Sequence, residues 1–137
     1  EANAERIKIE AGSATREMNG MTSEIHIRGR DLRDGKPKSI VLLPQHIAEA
    51  LDEAIGAMAE FIERTLEDLP PEVSNDICDR GIYLTGGGAL LHKLDAELER
   101  RVGVPFKVSE NPLHCVVRGS AMLLENVERR EHLLIRP

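Results

Sequence analysis

Apolar residues recur along this chain with two different periods. From Ile47 the series Leu51, Ala54, Ile55, Met58, Phe61, Ile62, Leu66 and Leu69 returns every three or four positions, the spacing of one helical face. It predicts an amphipathic helix near 45–69, about seven turns long, entered through Pro44 and stopped by Pro70-Pro71. Glu49, Asp52, Glu53, Glu60, Glu63, Glu67 and Asp68 make its other face acidic, the pattern of a solvated surface. Ile25-His26-Ile27-Arg28 instead alternates, and Ser39-Ile40-Val41-Leu42-Leu43 is a second strand-like run. With the charged turn from Gly29 to Pro37 between them, they predict a hairpin over 25–43 with a long tip and His26 facing outward.

Residues 1–11 read as a helix ended by Gly12 and Ser13. Glu5 and Lys8 lie three apart on it, which by itself is the spacing of a solvated ion pair. Residues 14–24 have no period and read as loop, and Ser74 to Arg80 reads as a short polar bridge of about one helical turn.

The chain is organised around Ile82-Tyr83-Leu84-Thr85-Gly86-Gly87-Gly88-Ala89-Leu90-Leu91. Ile82 to Leu84 suit a short buried strand. A helical series then starts at Leu90 and Leu91, continues through Leu94, Leu98 and Val102, and ends at Gly103 in a C-cap position. A tight turn needing positive φ would account for one glycine. Three glycines between a strand end and a helix start favour a ligand site, because backbone without Cβ can approach a flat or anionic group. Val104 to Val108 predicts the next strand, parallel to the first through a right-handed crossover. Asn111-Pro112 opens a last helix with apolar positions Cys115, Val116, Met122, Leu123 and Val127, and the tail from Glu128 is expected to fray.

One domain is the natural count for 137 residues. With two Phe, one Tyr and no Trp, the core must be aliphatic. The formal net charge of −6 argues against a nucleic-acid partner. Cys78 and Cys115 match no metal spacing or disulfide framework and read as reduced thiols of a cytosolic protein. No apolar run approaches a membrane span, and no signal peptide is visible. The opening Glu1-Ala2-Asn3-Ala4-Glu5 is already helical in composition, so the chain reads as a fragment or a truncated frame.

Four stretches line up with one family in order and spacing: Glu5-Arg6-Ile7-Lys8-Ile9-Glu10, Ile27-Arg28-Gly29-Arg30-Asp31-Leu32, Leu84-Thr85-Gly86-Gly87-Gly88-Ala89-Leu90-Leu91, and Asn111-Pro112-Leu113 to Arg118-Gly119. The chain resembles the MreB/Mbl bacterial actins over nearly its whole length. The glycine segment with the Glu-Arg-x-Lys helix marks the actin-like ATPases, and the Arg28-Gly29-Arg30 hairpin narrows the resemblance to this branch. It implies an α/β fold: an actin-like (ribonuclease H-like) ATPase domain fragment, most of the second large domain, with a small β-hairpin side subdomain. Residues 1–12 and 51–137 would form the nucleotide-binding subdomain, with the hairpin subdomain at 13–50 inserted in it. In this superfamily ATP or ADP with magnesium lies between two large domains. Glu5 would accept hydrogen bonds from ribose or base, Lys8 would lie along the base, and Gly86, Gly87 and Gly88 would line the other side of the adenosine. The resemblance further implies a filament subunit directing rod shape, cytoplasmic and membrane-associated, working with full-length subunits and rod-complex membrane proteins.

The family's phosphate loops, magnesium-binding Asp, water-orienting residues and membrane-binding segment would lie upstream of Glu1. Hydrolysis depends on such parts, so this chain by itself is expected not to hydrolyse ATP. Within the match, Ala11, Pro44-Gln45 and Ser120 are small departures from the family pattern that leave the fold expectation intact. Two other readings stay open: a truncated, nucleotide-free interaction module that caps or modulates filaments, and an ATPase of another actin-fold branch. The last does not account for the Arg28-Gly29-Arg30 hairpin.

Overall fold

The computed structural model describes residues 2–15 and 24–125. Helix α1 (Ala2–Ala11) ends where the Gly12 N–H donates to the Lys8 carbonyl at 2.8 Å. Strands β1 (Ile25–Arg30) and β2 (Pro37–Leu42) pair antiparallel with Ile25 opposite Leu42 and Ile27 opposite Ile40. Alternation therefore gathers these four apolar residues on one face and His26, Arg28, Ser39 and Val41 on the other. The tip is tighter than the Gly29–Pro37 turn expected: both strands extend inward, and Asp31 N–H to Lys36 O and Gly35 N–H to Asp31 O, each 2.9 Å, close it.

Helix α2 (Pro44–Glu67) matches the apolar series that predicted it. Its buried Ile55 and Ala59 meet Leu94 and Leu98 of α4 (Leu94–Val102) and Phe106, and Ala14 completes the cluster. A polar seam lies beside this core. Glu97 accepts from Arg100 (Nη2, 2.7 Å) and Arg101 (Nε, 2.6 Å), and Arg101 also bonds Asp52 on α2. Strands β3 (Ile82–Leu84) and β4 (Phe106–Val108) pair parallel, Ile82 opposite Phe106, as the crossover requires.

Four boundaries differ from expectation, each for a visible reason. The supposed polar bridge is a ten-residue helix, α3 (Pro71–Arg80), started by Pro71 after an extended Pro70 and stopped by Gly81 at φ 80. The helix expected directly after the glycines starts only at Leu94. Residues 87–90 form a 3₁₀ turn, Leu91 is extended, and His92 is drawn into a bridge with Ser13. β4 begins at Phe106 rather than Val104, with the Pro105 carbonyl taking the Ile82 N–H at 2.8 Å. The last helix, α5 (Cys115–Leu124), begins beyond Asn111-Pro112, whose Pro112 carbonyl is committed to the Gly86 N–H at 2.7 Å. The loop expected at 14–24 falls largely, and the last helix's Val127 with the tail from Glu128 wholly, outside the described residues.

Candidate functional site

Glu5 and Lys8 stand where a three-residue helical step puts them, on one face of α1, with Lys8 Nζ 2.7 Å from Glu5 Oε2. Both line a groove of about 530 Å³ between α1 and the start of α2, whose floor is Ile7, Ile47 and Leu51. The His46 ring at its edge is itself held, accepting the Leu43 N–H at 3.3 Å. The bridge engages one Glu5 oxygen, and a carboxylate offers about four lone-pair positions. An apolar floor with a carboxylate and an ammonium at the rim suits a flat, partly polar ring system.

The glycine turn joins β3 to α4. Gly86 has φ 80 and ψ −179, a region open only to glycine. A Cβ on Gly88 would meet nothing within 4 Å, and one on Gly87 would touch only Leu113 Cδ2 at 3.6 Å. Gly86 is therefore needed for the chain path, while Gly87 and Gly88 leave bare backbone at an open surface. Gly88 lines a second groove, of about 510 Å³, with Leu84, Thr85, Ala89, Met58 and Phe61.

Glu5 and Lys8 do not share a cavity with Gly88: they open onto the first groove and Gly88 onto the second. The two are joined through a path, centred on buried Ser13, that the sequence did not reveal. Ser13, fully buried, forms an isolated parallel bridge with His92, and Ala14 N–H donates to the His92 carbonyl at 2.9 Å. Gly12-Ser13 is legible as a helix stop. Its partner, 79 positions further on, gives no local signal.

The remaining chemistry is modest. Among the described residues no group of three or more His, Cys, Asp or Glu converges as a metal site. Cys78 and Cys115 are both free, and among the described residues no helix is long and apolar enough to cross a membrane. At the hairpin tip, the Arg33 amide and the Lys38 ammonium hold the Asp31 carboxyl below the usual carboxylate range. Leu32 beside them is wholly exposed.

This α/β arrangement, a parallel crossover with a glycine turn and a separate hairpin, is that of the actin-like ATPases. It superposes on MreB5 of Spiroplasma citri bound to ADP with a TM-score of 0.85 and 27% identity, over 93% of this chain and 38% of that one. The same protein bound to AMPPNP gives 0.84 and 29%, over 95% and 39%. The family model described as MreB/Mbl protein matches residues 1–132, and the chain belongs to that family. It is 43% identical over 129 residues to the cell shape-determining protein Mbl of Bacillus cereus, covering 94% of this chain and 38% of that protein. Against the cell shape-determining protein MreB of Escherichia coli K12 it is 44% identical over 128 residues, covering 93% and 36%. The chain thus spans little more than a third of the length of these relatives.

Proposed function

We propose that this chain supplies the adenosine-binding side of an adenine nucleotide site in a cell-shape filament subunit. In this reading Glu5 accepts hydrogen bonds from ribose or base, Lys8 lies along the base, and the bare backbone of Gly86, Gly87 and Gly88 approaches from the other side. The observation that carries it is the likeness, over 93% of the chain, to a relative bound to ADP, together with a glycine turn whose outer face would take a Cβ without contact at Gly88. The nucleotide-binding part would be built on α1, α2 and the β3–α4–β4 crossover, with Ala14 in its core, rather than divided at 12/13 and 50/51, and the hairpin 25–42 would be the side subdomain that contacts a neighbouring subunit.

The residues present fit the adenosine better than the rest of the nucleotide. A carboxylate, an ammonium and Cβ-free backbone suit ring and ribose. The described residues offer no converging carboxylates for magnesium. In this reading the phosphates, magnesium and hydrolysis coupled to polymerisation belong to the rest of the subunit. Cytoplasmic location, association with the membrane and rod-complex partners belong to the same proposal for the whole subunit.

Titration of the ¹⁵N-labelled chain with ADP, followed by NMR, tests the reading. Amides of Glu5 to Lys8 and of Gly86 to Gly88 are expected to move together, with a midpoint on the order of millimolar. Absence of movement at both segments up to about ten times that concentration refutes it.

A further inference from the structure

The two segments proposed to flank the adenosine are held on one joint, centred on buried Gly12 and Ser13. On one side the Lys8 carbonyl accepts the Gly12 N–H at 2.8 Å. On the other the Gly88 carbonyl accepts the Leu91 N–H at 3.1 Å. Gly12 and Leu91 meet between them: a Cβ on Gly12 would lie 2.8 Å from Leu91 Cδ1 and 2.2 Å from the Lys8 carbonyl oxygen. One residue further, Ser13 and His92 form the parallel bridge, closed by Ala14 N–H to His92 O at 2.9 Å. The Ser13 hydroxyl lies 3.4 Å from His92 Nδ1 and also donates to the Thr15 carbonyl at 3.2 Å.

From these contacts we infer that Gly12 and Ser13 are positioning residues for the nucleotide site, setting the spacing between the Glu5–Lys8 helix and the Gly86–Gly88 turn. The inference rests on the nucleotide reading above. Stopping α1 requires only a glycine. It does not require a fully buried hydroxyl facing a residue 79 positions away. Contact runs without a break from Lys8 through Gly12 and Leu91 to Gly88, one candidate residue at each end. A site whose two sides are already in register binds without the cost of ordering them, which is how pre-organisation raises affinity. If the joint slackens, each side still meets the ligand but not both in one geometry.

The test is the same ADP titration applied to Ser13→Ala and His92→Ala, with thermal unfolding measured alongside. His92 is exposed, so His92→Ala keeps a folded variant in the set. Both variants are expected to unfold within a few degrees of the parent. Their ADP midpoint should rise about fivefold, the loss of one ordinary hydrogen bond's worth of ordering. The amides of Lys8 and Gly88, expected to share one isotherm in the parent, should separate into two. Folded variants with an unchanged midpoint and a shared isotherm overturn the inference and leave the nucleotide reading standing. No movement at either segment in the parent overturns the nucleotide reading, and the positioning role goes with it.

Discussion

Arg101 of α4 donates through Nη2 to Asp52 of α2, 49 residues earlier, and the same guanidinium gives its Nε–H to Glu97 at 2.6 Å. One side chain thus ties the two helices that enclose the core. Glu97 is the acceptor at the centre: only 6% exposed, it also takes two bonds from Arg100.

The seam makes folding stability depend on acid. Hydrogen bonds from Arg100 lead, burial opposes them, and Arg101 adds to them, so that the Glu97 carboxyl is held at about 2 against an ordinary value of 4.5. A depressed carboxyl contributes stability that is complete above its unfolded value and fades as pH falls toward the folded one. The parent should therefore lose stability between about pH 4.5 and 2 through this group. Glu97→Gln should flatten that acid limb and cost about 2 kcal/mol at pH 7, because charge-assisted bonds to two guanidinium groups become neutral ones. Urea unfolding across pH 2 to 7 checks both, and an unchanged acid limb in Glu97→Gln would place the dependence elsewhere.

The two outer glycines of the turn should separate stability from binding. At Gly86, φ 80 with ψ −179 excludes a side chain, so Gly86→Ala should cost about 1–3 kcal/mol. Gly88→Ala meets open space and should leave the unfolding midpoint within experimental error while weakening the ADP response of the turn. Were Gly88→Ala to unfold early and bind normally, the open face would not be a ligand face.

Core packing should be most sensitive at Ile55, which is 1% exposed and sits where α2 meets α4. Ile55→Ala removes three buried carbons and should cost about 2–5 kcal/mol. Phe61→Ala, on the exposed side of the same helix, should cost far less in this chain. Chemical denaturation of the two variants in parallel gives the comparison.

What the sequence revealed, and what it hid, follows the range of the interactions. The α2 period, the hairpin and the parallel crossover were legible because their signals are local: Leu51, Ile55 and Ile62 recur at helical spacing, and Ile25 and Ile27 alternate. Helix α3 was missed because Val73 and Ile77 are its only large apolar residues, and its start rests on Pro71 backbone geometry. The starts of α4 and α5 were misplaced because partners far along the chain set them. His92 is held by Ser13, and Pro112 gives its carbonyl to Gly86. The glycine triplet read correctly as a turn, but not as one position that its torsions reserve for glycine beside another open to a side chain, since only the torsions distinguish Gly86 from Gly88. Glu5 and Lys8 looked like a surface pair, and such a pair they form. Only the family resemblance assigns them a ligand.

The final prediction concerns assembly. A subunit that joins its neighbours head to tail uses two different faces, so a chain carrying one of them can occupy an end without extending it. The hairpin offers such a face: wholly exposed Leu32, with exposed Arg28 and Arg33 near it. At excess, this chain should slow polymerisation of a full-length relative, and added salt should weaken the effect as charges are screened. Arg30 is unsuitable for the test because its Nε–H holds the Gly35 carbonyl at 2.7 Å, so reversing it would also loosen the tip. Arg28→Glu with Arg33→Glu changes charge without touching that bond, and Leu32→Ala removes the apolar contact separately. Both variants should relieve inhibition in a light-scattering assay with the Escherichia coli relative. Equal inhibition by the parent and both variants would place the contact on another surface.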